Sequence, residues 1–195
     1  KLTKGESTSV HCHPKKKTGF LILSGTAEVQ LGIYKKNIFN YKPMSILVLR
    51  PGLFHRIKAS NKADLYALEI ETPYIKTDLI RMEDNYGRKK NGYESLHKSI
   101  RLTKNDITFN TPSLKKSNNY LLNNIKIEIS YFSNFKKFNS FDDKSVSIIL
   151  DGNIINDKSK TVITIGEIVK SYTLKKLSNL FKINKKILIL KASKN

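Results

Sequence analysis

Short apolar, β-branched stretches, each cut off by a turn signal within a dozen residues, run along most of this chain. That spacing constrains the fold more than any other feature. Phe-Leu-Ile-Leu-Ser-Gly-Thr-Ala-Glu-Val-Gln-Leu (20–31) reads as two short strands broken at Ser24-Gly25, where glycine supplies the positive φ of a tight break. Further strands are expected near 7–13, 37–41, 45–50, 55–58 and 64–71. Between them lie a basic turn at 14–19, Gly32 to Lys36, Pro51-Gly52 and the polar turn 59–63. Many short strands with frequent turns predict an all-β sandwich or barrel. A length of 195 residues suits one domain, or two small ones sharing a core.

The texture changes at Pro73. Residues 74–104 are charged and aromatic, and predict a short helix, a loop and a linker crossing the surface. Strands then return at 126–132, 145–150, 161–165, 168–172, 179–183 and 186–191. Ser-Val-Ser-Ile-Ile-Leu-Asp-Gly (145–152) mirrors Gly-Phe-Leu-Ile-Leu-Ser-Gly (19–25), and Leu180 to Ala192 mirrors His55 to Ile70. The ordered likeness predicts a tandem repeat of one β-domain. Its parts are a first copy over 1–73, a linker over 74–104 and a second copy over 105–195. No histidine follows His97, so the second copy lacks any histidine site of the first.

Charge and cysteine content narrow the partners. The net charge of +20 comes from 31 Lys and 5 Arg, dispersed among Asn and Ile. Base-reading surfaces lean on Arg, so nucleic acid ranks last among the partners the charge suggests. A solvated lysine surface comes first, and attraction for small anionic ligands such as sugar phosphates second. Cys12 is the single cysteine, which predicts no internal disulfide, a reducing cytoplasm and an inert buried thiol. No apolar run approaches the ~20 residues that span a bilayer, so no membrane partner is expected. A homodimer is left open. The chain opens on Lys1 rather than Met, almost directly on its first motif, which predicts a preceding segment.

The chemistry concentrates in three histidines. His11 and His13 stand one residue apart in a β-prone run. Side chains of a strand alternate faces, so both rings point the same way and Cys12 points the other. His55 follows Pro51-Gly52, where a second strand presents it to the same point. Three imidazoles with open positions suit a divalent transition metal: Zn, Fe, Mn or Ni. In the strand 64–71, Glu69 and Glu71 share a face, which makes them candidate bases beside the pocket mouth. His97 reads as an ordinary surface residue.

Gly5, five residues, His11-x-His13 and then Gly25, followed by Pro51, Gly52 and His55, resemble the two motifs of the cupin superfamily. The likeness extends over about residues 5–94. The tail Arg-Met-Glu-Asp-Asn-Tyr-Gly-Arg (81–88) is similar to that of mannose-6-phosphate-isomerase-like cupins and of the cupin end of type II phosphomannose isomerases. The resemblance implies tandem cupin domains, double-stranded β-helix jelly rolls joined by a short, partly helical linker. It also implies a metal held by three His and one Glu. The Glu position falls on Thr18, which leaves open whether metal is retained.

The resemblance further implies a metal-dependent sugar-phosphate isomerase or epimerase of surface-polysaccharide precursor metabolism. Glu69 or Glu71 would move a proton between neighbouring carbons. Arg56, Arg88 and Lys16 or Lys17 would hold the phosphate, with salt bridges to Glu83 and Asp84 the competing role for Arg81 and Arg88. Two other readings stay open: a non-catalytic bicupin that binds a phosphorylated or nucleotide sugar, and a three-His Fe(II) dioxygenase.

Overall fold

A computed structural model describes residues 1–83 and 107–195. The first half contains β1 (Val10–Cys12), β2 (Lys17–Ser24), β3 (Ala27–Leu31), β4 (Ile38–Tyr41), β5 (Ile46–Leu49), β6 (His55–Ala59), β7 (Tyr66–Thr72) and β8 (Ile80–Glu83). The second half contains β9 (Asn118–Leu122), β10 (Ile125–Phe132), β11 (Val146–Asp151), β12 (Ile154–Ile155), β13 (Thr161–Ile163), β14 (Ile168–Lys170), helix α1 (Ser171–Leu177), β15 (Lys182–Ile183) and β16 (Ile187–Lys194). A 3-10 turn covers Lys136–Ser140. No helix among the described residues is long and apolar enough to cross a membrane.

Among the described residues two sheets build each half, and every strand pair is antiparallel. The first half has a five-stranded sheet, β4-β3-β6-β1-β8, and a three-stranded one, β5-β2-β7. The second half has β14-β11-β16-β10-β9 and β13-β12-β15. The order 5-2-7 in one half answers 14-11-16 in the other, and 4-3-6 answers 13-12-15. This is one double-stranded β-helix, built twice. The repeat holds in detail. Strand β2 is bulged between Ile22 and Ser24, and β11 between Ile149 and Asp151. Gly25 and Gly152 follow these bulges at φ +78° and +79°, and a Cβ on either would come within 2.3 Å of a main-chain oxygen. Only glycine fits such a position.

The continuous apolar run 20–23 has a simple physical cause: β2 is buried on both faces. Phe20 and Ile22 point into the core of the first sandwich with Val29, Leu49, Ile57 and Leu65. Leu21 and Leu23 point the other way, into a cluster with Ile127, Ile129, Ile148, Ile168 and Leu190 of the second half. Each such aliphatic side chain contributes roughly 1.5–3 kcal/mol on burial, so the halves share one core. The rest of the second half packs around Phe132, Phe138, Phe141, Ile154 and Ile187.

Three expectations need correction. The segment after Pro73 is not helical within its described part. Ile80–Glu83 is a strand that joins the first sheet against β1, and the remainder of the expected linker, with Arg88 and His97, lies outside the described residues. The strand expected at 168–172 ends at Lys170, and the chain turns into α1, whose Leu174 docks in the second core. The expected basic turn is also shorter, because β2 already begins at Lys17.

Candidate functional site

Strands β1 and β6 lie side by side with His11 directly opposite His55. Directly opposed residues of an antiparallel pair share a face, so both rings enter the sandwich. His13 sits one residue beyond β1. Its position is set by Asp78, whose main-chain oxygen accepts a hydrogen bond from His13 Nδ1 at 2.6 Å. The Asp78 carboxylate accepts from the Lys15 and Lys16 amides at 2.9 Å each and pins the turn that carries the ring. The ring centroids are 4.4 Å apart for His11 and His55, 5.2 Å for His11 and His13, and 5.8 Å for His13 and His55.

The three rings share one hydrogen-bonding arrangement. Nδ1 of His11, His13 and His55 meets the carbonyl oxygen of Ser9, Asp78 and Leu53 at 2.9, 2.6 and 3.0 Å. A carbonyl can only accept, so each Nδ1 carries the proton. Nε2 of each ring is then the atom left to face the pocket. Burial pushes the His11 pKa down to about 3, with the neighbouring His55 charge next and the Ser9 carbonyl working against it. Burial likewise pushes His55 down to about 4, partly offset by the Leu53 carbonyl. Both rings are therefore neutral at ordinary pH, the form that ligates metal.

Ligating atoms of His11, His13 and His55 lie within 4.8 Å of one another, as do those of His13, Glu69 and Glu71. The Nε2 atoms of His13 and His55 are buried without a hydrogen-bond partner. His13 Nε2 stands 3.0 Å from Glu71 Oε1, but the pair lacks the alignment of a hydrogen bond, so proximity and not a bond describes it. The donor set fits a divalent transition metal. Three imidazoles are oriented by outer hydrogen bonds, and carboxylates stand beside them.

The surrounding pocket is a cavity of about 380 Å3, within the range of small-molecule sites. Phe20, Ile57, Leu2 and Leu79 give it apolar walls. Strand alternation brings Glu69 and Glu71 of β7 into it together. Their settings differ. Glu71 Oε2 accepts from Lys16 Nζ at 2.5 Å, and Lys16 is only 1% exposed. Glu69 lies at the rim with an exposed surface. The packing around its carboxyl nonetheless withholds water, and this burial, followed by the charge of Glu71, raises its pKa to about 7.

The remaining expected residues fall elsewhere. Lys17 does not line the pocket; its ammonium reaches Glu167 of the second half at 2.5 Å. Arg56 follows His55 on β6 and alternates to the other face, outside the pocket lining. Cys12 is buried, opposite Ile80 of β8, and burial raises its pKa, with Asp78 adding to the rise. A pocket arginine is present, but at Arg81 on β8, directly opposite His11. The apolar–charged alternation Ile80-Arg81-Met82-Glu83 is the signal that reveals it, once the segment is read with period two. Asp78 carries no sequence signal for its role, because both its main-chain oxygen and its carboxylate act on a turn far away in the chain.

No family model and no curated protein matches the chain. Among solved structures it is similar to a conserved protein with a double-stranded β-helix domain from Klebsiella pneumoniae. The two are 21% identical, over 42% of this chain and 64% of that one, with a TM-score of 0.37. It is also similar to the capsular polysaccharide assembling protein CapF of Staphylococcus aureus (18% identity, 42% of this chain and 26% of that one, TM-score 0.37). A third similarity, to oxalate decarboxylase of Bacillus subtilis, runs over 100% of this chain and 66% of that one at 11% identity and a TM-score of 0.38. The chain thus spans less than two thirds of the length of each of these proteins.

Proposed function

We propose that the pocket binds a divalent transition metal on His11, His13 and His55, and that Glu69 moves a proton on an anionic hydroxy-carbonyl substrate. This is the chemistry of a sugar-phosphate isomerase or epimerase. The observation that carries the reading is the shared arrangement of the three rings, each with Nδ1–H held by a main-chain carbonyl and Nε2 turned inward. Zn, Fe, Mn or Ni bound there would polarise a substrate carbonyl. Glu69, with its pKa near 7, is matched to take a proton from the carbon beside that carbonyl and return it to the neighbouring carbon. Arg81 brings a permanent positive charge to the wall and favours an anionic substrate. Phe20 and Ile57 keep water from the reacting carbons. The resemblance of residues 53–88 fits such a reaction in surface-polysaccharide precursor metabolism.

The test combines elemental analysis of the purified protein with proton NMR of hexose phosphates in deuterated water after Zn, Mn, Co or Fe is added. Stoichiometric metal and metal-dependent exchange of the proton beside the carbonyl are expected. Absence of both overturns the reading. One observation favours a second reading, binding of an anionic sugar without turnover: Glu71 is held by Lys16, so only one acid of the pair is at liberty to move protons. Ligand binding that shifts the melting temperature without any exchange would select it.

A further inference from the structure

We propose that the substrate of this site is two-ended, with an oxygen-bearing head at the three histidines and an apolar group of about the size of benzene in a side chamber whose room Ala67 sets. The inference rests on the three-histidine metal reading and deepens it: a substrate of the proposed class carries an apolar substituent as well as its anionic group. A second cavity, of about 180 Å3, adjoins the main pocket and shares Leu2, Thr8, Phe20, Ile57 and Glu69 with it. To these walls it adds Lys1, Leu65 and Ala67, whereas the histidines and Arg81 line the main pocket alone. A cavity of about 150 Å3 walled by Leu, Ile and Phe is large enough for benzene.

The polarity changes along the strands themselves. Side chains two residues apart share a face, so β6 presents His55 and then Ile57 to the cavity, and β7 runs from Glu71 through Glu69 to Ala67 over about 13 Å. Phe20 marks the border: it lines both cavities, and its ring centroid is 6.0 Å from that of His55. The polar side chains of the chamber are already engaged. Thr8 Oγ1 accepts from the Ile57 amide at 3.0 Å and donates to the Ser9 carbonyl at 3.2 Å. Lys1 Nζ lies 2.9 Å from Asp64, which is not part of the lining. Among the described lining side chains this leaves Glu69 as the polar group, at the border shared with the main pocket. Two main-chain hydrogen bonds, of 2.9 and 2.8 Å, tie Leu2 to Leu65 and fix that wall. Ala67 stands directly opposite buried Ile22, and its single methyl group leaves the chamber its room.

The test uses the full chain loaded with Co2+ and two probes that share one metal-binding head, acetohydroxamate and hexanohydroxamate, with affinities read by calorimetry. The longer probe extends the shorter by methylenes, and each methylene buried strengthens binding about 4-fold. Hexanohydroxamate is expected to bind at least about 10-fold more tightly than acetohydroxamate. Ala67→Phe fills the chamber and is expected to abolish this preference. Ala67→Leu intrudes less and is expected to reduce it, and circular dichroism confirms that each variant is folded. Equal affinities in the wild-type chain, or binding of neither probe once Co2+ is bound, would overturn the chamber while leaving the metal site standing. A full preference in the folded variants would overturn the role of Ala67 and the placing of the apolar group. No Co2+ binding by the wild-type chain would overturn the metal reading, and this inference with it.

Discussion

Thr18 on β2 stands directly opposite Glu71 on β7. Directly opposed residues of an antiparallel pair share a face, with Cβ atoms about 5 Å apart. The first motif would place an acid at residue 18, and the acid stands instead on the adjacent strand, pointing the same way. Restoring it is an experiment. If His11, His13 and His55 hold a metal, Thr18→Glu is expected to strengthen Co2+ binding about 10-fold over the wild-type chain. A Thr18→Glu variant that binds no better than the wild-type chain would show that the face of β2 at residue 18 does not reach the rings.

Metal should stabilise the fold measurably. At a free concentration of about 100 times the dissociation constant, a ligand that binds only the native state adds about 2.7 kcal/mol. For a chain of this length that is a rise in Tm of about 5–10 °C. The wild-type chain should show this rise with Zn2+ or Co2+ in a thermal melt, and His13→Ala should not.

The pH dependence of the metal-free protein follows from opposed groups. His11 and His55 have pKa values near 3 and 4 in the fold, against an ordinary 6.5. The unfolded chain therefore binds more protons in that window, and stability falls as pH drops below 6.5. Glu69 is raised from 4.5 to about 7. The folded state binds the extra proton there, so its contribution is complete below 4.5 and is lost as pH rises through 7. In urea melts between about pH 7 and pH 5, Glu69→Gln should therefore lose stability more steeply on acidification than the wild-type chain. Equal slopes would mean that the carboxyl of Glu69 is not desolvated.

If Glu69 is the base, Glu69→Gln should lower kcat by about 10²–10⁴ and leave metal content unchanged. In the wild-type chain, kcat/KM should fall as pH drops below about 7, because the base is then protonated. A variant that keeps its activity would move the proton-transfer role elsewhere.

Lys17, expected at the phosphate, is paired with Glu167 instead. Lys17→Ala should change stability by less than about 1 kcal/mol, as partly exposed pairs do, and should leave substrate affinity intact. A large rise in KM would return Lys17 to the site.

How much of this was legible in the sequence depends on the range of the interaction. Strand positions β2 to β7 follow from local alternation and from glycine and proline at the turns, and the structure places them within a few residues of expectation. The repeat was legible because the bulge and glycine at Ser24-Gly25 and Asp151-Gly152 are local devices, written in both copies. Strand β8 was not separated from the segment 74–104, read as a short helix, a loop and a linker, because four residues carry little periodicity and only pairing with β1 makes them a strand.

The sequence alone determined the class of fold and the identity of the three rings, since period-two alternation and the spacing His11-x-His13 are local and need no partner strand to be read. Only the tertiary structure decided the rest: that His55 lies opposite His11, that Glu71 lies opposite Thr18, that Arg81 faces the pocket and Lys17 does not, and that Lys16 is buried against Glu71. Each of these depends on the register of one strand against another. Register is set by how whole strands pack and bury their faces, and residues distant in the chain become one site only once that packing is complete.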